Sequence, residues 1–334
     1  MSDSSTPSYQ SPMCRLMGVQ IVGTGSFVPD NVVTNDDLAS LGCDADWIVK
    51  RTGIRERRHA PADMCTSDMA VAAAQHALDS AGAKPADIDL LLLATFTPDR
   101  LMPATATAVQ DKLGLQCGAM DLVAACSGFI YALVTGMQFV ATGGSKRALV
   151  VGADTNSRVL DPTDKKIYPL FGDGAGAVVL APGSPEQGAL SYTLGSDGSG
   201  IELLGRVSGG VEIPYDPQRY YMQMDGRAVF KWAVRLIDAV SRNGVDAAQL
   251  SMDEIDWWIF HQANARILDA AADSLGLNKE RVVKHLDRYG NTSAGSIPIA
   301  LDETCRAGKI KRGQHLLMSG FGAGLTWGTT VFRW

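Results

Sequence analysis

One cysteine of this chain stands where it could act as a nucleophile. Cys126 lies in the segment DLVAACSGF, after a short apolar run and before a long apolar stretch that predicts a buried helix. A helix start carries unpaired N–H groups and a partial positive charge, which favour the thiolate, the reactive form of cysteine. The alternative is a small buried hydrophobic residue, as most cysteines are. We interpret the other five as reduced thiols of that kind: Cys14, Cys43, Cys65, Cys117 and Cys305.

A histidine partner is predicted at the end of a strand. His261 directly follows the apolar run WWIF and begins HQANARI, where a buried strand gives way to a helix. Catalytic groups collect at strand ends in open α/β sheets. A hydrogen-bonded structural histidine is the alternative. The other histidines have ordinary contexts: an exposed stretch for His59, a packed helix for His76, and the surface for His285 and His315.

Two further segments could complete such a site. Asn291 in YGNTSAGS either caps the helix that follows or joins the cysteine and the histidine. The turn GFGAG (320–324) lies between two strand-like segments, and its backbone N–H groups could supply an oxyanion donor. The other Gly-rich segments, GTG and GDGAGA, are not followed by helices and no GK[ST] motif is present, which excludes nucleotide loops of the common kinds.

The elements that must position these residues alternate between strands and helices. Helical patterns cover residues 67–82, 126–143 and 230–244, the first with Ser67 or Asp68 as N-cap and Gly82 at its end. Short apolar runs bounded by Gly, Asp or Pro predict the strands. They cover residues 18–25, 88–96, 147–154, 176–182, 255–262 and 314–321.

The order of these elements occurs twice. The first series runs through a helix, DIDLLLLATF, KLGL, the Cys126 segment and RALVVGAD. The second series has the same order: a helix, EIDWWIFHQA, SLGL, YGNTSAGS and QHLLMSGFG. This pattern predicts two duplicated halves, an N-terminal half (18–185) and a C-terminal half (186–334), after a flexible extension (1–17). The Cys126 and NTSAG segments would then be equivalent helix starts, with His261 between them. Coincidence in an alternating α/β chain remains an alternative.

Composition limits the classes of function. The 334 residues are 46% hydrophobic with 35 glycines and carry a net charge of −6, without a basic cluster for nucleic acid. No apolar run is long enough for a membrane span, and the polar start has no signal-peptide core, so we expect a cytoplasmic protein. The scattered cysteines and histidines predict no metal site.

Several motifs together resemble a known family. DLVAACSGF, FHQANARI, YGNTSAGS and FGAGLTWG, with DWIVKRTGIRERR and FGDGAGAVVL, resemble β-ketoacyl-acyl-carrier-protein synthase III of the thiolase superfamily, from about Met17 to Trp334. The resemblance implies a thiolase-like α/β fold of two duplicated halves in five αβαβα layers, acting as a homodimer. It also implies condensation of an acyl-CoA primer, with acetyl-CoA expected, with malonyl-acyl carrier protein at the start of type II fatty-acid synthesis. No cofactor is implied, because the CoA thioester is a substrate.

The resemblance also assigns roles to residues. Cys126 would be the nucleophile, His261 and Asn291 would complete a triad, and the N–H groups of Cys126 and Ala323 would form the oxyanion hole. The remaining assignments concern substrate contacts: CoA binding by Trp47, Arg51, Lys165, Asn264 and Phe321, carrier-protein docking by Lys231 and Arg266, and a reach across the dimer by Met102.

The chain departs from the family's pattern at three places. Gly322-Ala323-Gly324 replaces a frequent Gly-Gly-Gly, so the oxyanion donor requires Ala323 to hold the needed φ. Lys165 stands where an arginine often stacks, and lysine lacks a planar face. Asp269 and Asp273 make the helix after HQANARI less basic.

Rival functions use overlapping residues. A specialised condensing enzyme making ketones, quinolones or polyketide starter units would use the same triad. A thiolase needs a second cysteine near the C-terminal glycine turn, and Cys305 lies too early for that. A hydroxymethylglutaryl-CoA synthase would need a glutamate base that no motif supplies. A cysteine protease or a non-catalytic carrier-binding module fits the motifs less well.

Overall fold

In the N-terminal half, five strands form one mixed sheet. A computed structural model describes residues 11–334, and its first sheet has the strand order β2-β8-β7-β5-β6. Strand β5 pairs in parallel with β6 and β7, whereas β8 pairs antiparallel with β7 and β2. Its strands are β2 (Val19–Phe27), β5 (Leu90–Ala94), β6 (Gly118–Leu122), β7 (Ala148–Asp154) and β8 (Gly174–Pro182).

The C-terminal half repeats four strands of this sheet, adds β1 at one edge, and has only an isolated bridge at the other edge, in the place of β6. The second sheet has the order β1-β9-β14-β13-β12, with β12 parallel to β13 and the other pairs antiparallel. Its strands are β1 (Cys14–Met17), β9 (Gly188–Ser196), β12 (Trp257–Phe260), β13 (His315–Gly322) and β14 (Thr326–Arg333). Two small hairpins stand apart, β3 (Val32–Thr34) with β4 (Glu56–Arg58) and β10 (Leu204–Gly205) with β11 (Gln223–Met224).

Helices cover and separate the two sheets. Helix α4 contacts strands of both sheets, as does α8, whereas α2 packs on the first sheet and α5 on the second. The fold therefore has the expected αβαβα layers, with an apolar core around the two central helices. The helices are α1 (Ala45–Thr52), α2 (Thr66–Ala81), α3 (Thr105–Lys112), α4 (Gly128–Ala141), α5 (Gly226–Ala247), α6 (Ala265–Leu275), α7 (Leu286–Tyr289) and α8 (Ser296–Arg306).

The two halves match in detail at the starts of the central helices. The 3₁₀ turn Ala125–Ser127 leads into α4, and the 3₁₀ turn Ser293–Gly295 leads into α8. Each turn begins with a non-glycine residue at positive φ, 45° for Ala125 and 52° for Ser293. An isolated parallel bridge between Trp258 and Val282 repeats the β5–β6 pairing. Strand β8 ends at Pro182 and β9 begins at Gly188, on either side of the predicted division.

Part of the predicted flexible extension is a strand. Residues 1–10 lie outside the described residues, but Cys14–Met17 pair with β9 of the second sheet and bury Leu16. The flexible-extension prediction is therefore wrong for these residues. It failed because CRLM is too short to show a periodicity, and its pairing depends on a strand more than 170 residues away.

Several local predictions also need correction. Cys65, not Ser67 or Asp68, is the N-cap of α2, and the Asp68 carboxylate accepts a hydrogen bond from the Cys65 N–H at 2.7 Å. Gly82 ends that helix at φ 58°, as predicted. Among the histidines, three were misplaced by their local sequence: His59 and His285 are buried and His76 is exposed.

Across residues 11–334, no helix combines the length and the apolar character that a membrane span requires.

Candidate active site

One cavity of about 740 Å³ gathers most of the predicted site residues from both halves of the chain. It extends from the Cys126 thiol to the exposed end of α1. The predicted residues on its wall are Trp47, Arg51, Cys126, Lys165, Lys231, His261, Asn264, Arg266, Asn291 and Phe321. Ala323 is not on this wall, although its neighbour Gly322 is.

The nucleophile candidate lies in a 3₁₀ turn against the C-terminal hairpin. Cys126 follows β6, and the Ser127 hydroxyl donates to the Ala124 carbonyl at 2.7 Å. Strand β13 passes so close that a Cβ on Gly322 would lie 2.7 Å from the Cys126 nitrogen. Only glycine at this position lets the hairpin touch the cysteine backbone.

The thiol itself is not held as an anion. Burial raises the pKa of Cys126 to about 12, the Ser293 hydroxyl 3.4 Å from its sulfur lowers it, and the buried Asp154 carboxylate raises it further. The backbone N–H of Cys126 also lowers this pKa, in the direction expected of a helix start, but burial is the larger effect. Helix α4 begins only at Gly128, and loss of hydration dominates.

His261 is a fixed, neutral imidazole. Its Nδ1 lies 2.7 Å from the Ser296 hydroxyl oxygen, and its ring packs edge-on against Phe321 at 5.1 Å. The Ser296 oxygen also accepts the Gln262 N–H at 3.4 Å, and if the Ser296 hydroxyl donates its own proton to Nδ1, the ring proton lies on Nε2. Burial, with the neighbouring His285, lowers the pKa of His261 to about 3.

Asn291 presents its amide nitrogen because its oxygen is already used. Its Oδ1 accepts the N–H of Ser293 at 2.8 Å, within the turn before α8. The side chain is 5% exposed and lies on the cavity wall. Asn291 does not cap the helix that follows, because α8 has Gly295 as its N-cap and no side-chain cap. Its oxygen shapes the preceding turn, and its NH₂ group is left for the cavity.

The outer end of the cavity carries an aromatic ring and positive charge. The Arg51 guanidinium lies over the Trp47 ring at 5.2 Å, and the Arg51 carbonyl accepts a hydrogen bond from Asn264 at 3.3 Å. Asn264 also caps α6 through the Arg266 N–H. Five further cationic side chains line the same end, in a chain whose net charge is −6: Lys165, Lys166, Arg227, Lys231 and Arg266. This end suits an anionic ligand.

Ala323 lies in the turn between β13 and β14, and its carbonyl accepts the Thr326 hydroxyl at 2.8 Å. Within residues 11–334, the non-glycine residues at positive φ are Ala125, Gln249 and Ser293. Alanine at 323 therefore carries no left-handed backbone strain. Its role as an oxyanion donor stays a prediction.

Sequence reasoning missed three buried residues around the triad. Ser296 holds the His261 ring, Ser293 contacts the Cys126 sulfur, and Asp154 ends β7 beside both turns. The two serines stand in the quoted YGNTSAGS segment, and Asp154 ends RALVVGAD. An acidic residue at the end of an otherwise apolar strand was the one available signal.

Comparisons with known proteins agree on one family. The family "3-Oxoacyl-[acyl-carrier-protein (ACP)] synthase III" matches residues 120–198, and its C-terminal counterpart matches residues 245–334. A Rhodopirellula baltica protein named beta-ketoacyl-[acyl-carrier-protein] synthase III is 50% identical over 345 residues, which cover 96% of this chain and 100% of that protein.

Solved structures give the same result. The 3-oxoacyl-[acyl-carrier-protein] synthase III from Aquifex aeolicus VF5 has a TM-score of 0.89 and 42% identity, covering 95% of this chain and 100% of its own. The priming β-ketosynthase of the R1128 polyketide pathway has a TM-score of 0.90 and 35% identity, covering 98% of this chain and 99% of its own.

Proposed function

The chain belongs to the 3-oxoacyl-[acyl-carrier-protein] synthase III family, also called β-ketoacyl-ACP synthase III, and we propose that it condenses an acyl-CoA primer with malonyl-acyl carrier protein. The observation that carries this proposal is the shared cavity of Cys126, His261 and Asn291, with a cationic outer end. Such a cavity accepts a long anionic thioester whose reactive carbonyl reaches the buried sulfur.

In the first half-reaction the Cys126 sulfur attacks the thioester carbonyl. The new S–C bond forms, the carbonyl oxygen takes the negative charge, and collapse releases the CoA thiolate. The N–H groups of Cys126 and Ala323 are the proposed donors to that oxygen. Trp47, Arg51 and Lys165 would hold the nucleotide end of CoA, Asn264 its pantetheine arm, and Phe321 would form part of the wall.

In the second half-reaction malonyl-carrier replaces CoA. Loss of CO₂ leaves an enolate whose oxygen accepts hydrogen bonds from His261 Nε2–H and the Asn291 amide. The low pKa of His261, caused by burial, keeps it a neutral donor across the physiological range. The enolate carbon then attacks the acyl carbonyl carbon on Cys126, the new C–C bond forms, and the C–S bond breaks to release Cys126 as the thiolate. Because decarboxylation generates the carbanion, no base must remove a carbon-bound proton, and we propose that no metal or cofactor takes part.

Docking of the acidic carrier is proposed at Lys231 and Arg266. The two aspartates that seemed to weaken this face are both paired: Asp269 lies 2.5 Å from Lys284 Nζ, and Asp273 lies 2.6 Å from Lys279 Nζ. Their charges are therefore offset locally, which supports docking on this face.

We also propose a homodimer through the edge of the N-terminal sheet. Strand β6 is an edge strand of that sheet, and an unpaired strand edge favours pairing with a second copy. Exposed apolar side chains lie on or near this edge, with Val123 76% and Met102 86% exposed. Sedimentation equilibrium measures this state. The proposed cytoplasmic location rests on the family alone.

A specialised condensing enzyme is the weaker candidate. The priming β-ketosynthase of a polyketide pathway is less similar in sequence, at 35%, than the Rhodopirellula and Aquifex synthases, at 50% and 42%. The triad serves either pathway, so the primer distinguishes them.

The test is intact-mass analysis after incubation with a panel of acyl-CoAs. We expect the wild type to gain one acyl group, most readily from acetyl-CoA, and Cys126→Ser to gain none at neutral pH. Cys305→Ser is the matched control, because burial also raises the pKa of Cys305 to about 12 but that thiol lies outside the cavity. Acylation of Cys126→Ser at the wild-type rate would overturn the assignment.

A further inference from the structure

A serine hydroxyl lies between the nucleophile and a buried carboxyl group. Ser293 Oγ donates to Cys126 Sγ at 3.4 Å, and the next residue, Ala294, donates its N–H to Asp154 Oδ2 at 3.1 Å. Burial raises the pKa of Asp154, and the Ser293 side chain is among the contacts that lower it. Asp154 and Ser293 are both fully buried, and Cys126 is 7% exposed. The three residues therefore form a short chain of protic groups that ends away from the cavity.

The two carboxylate oxygens of Asp154 have different surroundings. Oδ1 accepts four hydrogen bonds, from the Thr95 hydroxyl, the Phe96 N–H, and the N–H and hydroxyl of Thr97. Oδ2 accepts the Ala294 N–H at 3.1 Å, on the side of the turn that carries Ser293. Oδ2 is thus the oxygen with room for a proton.

The site favours one negative charge rather than two. Burial raises the pKa of Asp154 as well as that of Cys126, and each anion would disfavour the other. The residues that hydrogen-bond to Asp154 from the β5–α3 connection and from the turn before α8 are neutral, namely threonine, phenylalanine and alanine. The charged residues of that connection are both exposed: Asp99, whose carboxylate accepts the Ser67 N–H at 3.1 Å, and Arg100. His261 is the other titratable group on the wall beside Cys126, with His285 behind it. Moving a proton from sulfur to carboxylate keeps the buried net charge constant, so no new charge is desolvated.

We propose that Ser293 relays the thiol proton of Cys126 to Oδ2 of Asp154 when the nucleophile is formed. The S–H bond breaks and its proton passes to Ser293 Oγ, while the proton of Ser293 passes to Asp154. The sulfur keeps the electron pair, and Ser293 then donates its hydrogen bond to the thiolate. When CoA leaves as a thiolate, the proton returns through the same hydroxyl to the CoA sulfur, which closes the balance.

The turn that carries Ser293 directs its hydroxyl toward Cys126, and His261 is not an alternative acceptor for the thiol proton. Ser293 sits at φ 52° and its N–H is tied to Asn291, which directs the hydroxyl toward the sulfur. The equivalent residue in the N-terminal half is Ala125, which has no hydroxyl. His261 is a poor proton acceptor, because burial lowers its pKa to about 3.

The experiment measures the pH dependence of Cys126 alkylation by iodoacetamide, followed on the Cys126 peptide by mass. The inference rests on Cys126 being the nucleophile, and acylation of the wild type by acetyl-CoA is checked separately in the same preparations. A wild type that alkylates but is not acylated would count against the proposed function and leave the alkylation comparison intact.

Two variants and one control separate the relay from its rivals. Ser293→Ala is tolerated by the backbone, because alanine already holds the equivalent position at 125. We expect its alkylation midpoint to rise and its rate at neutral pH to fall on the order of 10²-fold. Ser191→Ala is the control, because it removes a buried hydroxyl that donates to the Gly244 carbonyl and neither residue lines the cavity. It should change neither the alkylation midpoint nor the rate at neutral pH. An unchanged midpoint in Ser293→Ala would overturn the relay.

Asp154→Asn distinguishes proton transfer from simple charge repulsion. If Asp154 only repels the thiolate, its neutral replacement speeds alkylation; if it accepts the proton, the replacement slows alkylation, which is the expected result. In the Ser293→Ala background the relay is already lost, so Asp154→Asn should then speed alkylation. If circular dichroism shows that Asp154→Asn does not fold, the solvent isotope effect on acylation tests the relay instead. The effect should vanish in Ser293→Ala, and its persistence would overturn the relay.

Discussion

At the scale of single residues, Gly322 sets how closely the C-terminal hairpin approaches the nucleophile. In Gly322→Ala the new Cβ would meet the Cys126 nitrogen at 2.7 Å and its Cβ at 3.2 Å, so the cysteine turn must shift. We expect acyl transfer to fall by about 10²-fold, since a displacement near 1 Å can cost that much. The measurement is the rate of acylation by acetyl-CoA.

Gly198→Ala is the control for this change, because nothing lies within 4 Å of the position its Cβ would take. It should acylate at the wild-type rate. Equal rates for the two variants would mean that the hairpin does not constrain Cys126.

The residues that the sequence predicted and those that it missed differ in a physical way. Cys126, His261 and Asn291 follow or precede recognisable strands and helices, so the local pattern placed them at element ends. Ser293 and Asp154 act through contacts to residues 140 or more positions away in the chain. Nothing in the local sequence marks such a contact. The same reason explains His285, which reads as a surface residue among charges but is 1% exposed.

At the scale of elements, strand β1 contributes to the stability of the second sheet by burying Leu16. Leu16 is 6% exposed and belongs to the apolar core around the central helices. Leu16→Ala should lower the free energy of unfolding by about 2–4 kcal/mol, the usual cost of such a truncation in a core. Urea denaturation measures the difference.

Arg15 is the neighbouring exposed residue of β1. Arg15→Ala should change the unfolding free energy by no more than about 0.5 kcal/mol. A Leu16→Ala variant as stable as Arg15→Ala would show that β1 is not docked in solution.

Most longer elements were predictable because their apolar runs are buried on both faces, as in LLLLA of β5 and ALVVGAD of β7. The internal repeat gave their order along the chain, whereas the strand order within each sheet was not predicted. Strand β1 and the small β10–β11 hairpin were not predictable, because two to four residues carry no periodicity. Helix α5 was predicted too short, because its first turn, GRAVF, is partly exposed. That turn begins at Gly226 after the N-cap Asp225, whose side chain accepts the N–H groups of Arg227 and Ala228.

At the scale of the whole molecule, buried neutral histidine links stability to pH. Burial lowers the pKa of His285, although nearby Glu303 acts in the opposite direction. Below the ordinary histidine pKa of ~6.5 the unfolded chain binds a proton at this residue that the folded protein does not. The contribution is therefore complete at pH 7 and is lost as pH falls below that value.

We expect wild type to lose more unfolding free energy than His285→Gln between pH 7 and pH 5, by on the order of 1 kcal/mol. Asp154 and Asp173, whose pKa values burial raises, act with the opposite sign but equally in both proteins. Urea curves at the two pH values give the difference. Parallel losses would mean that His285 is already protonated in the folded state.

The place of β1 also bears on how the protein is made. The strand lies at residues 14–17 but hydrogen-bonds to residues 188–192, in the sheet of the other half. While a ribosome synthesises the chain, the strands of the first sheet are all available once residue 182 has emerged, and domains that form early can fold early. Strand β1, which is synthesised more than 170 residues before β9, must nevertheless wait for β9 before it can pair. Strand β1 therefore docks only after the second half has begun to form.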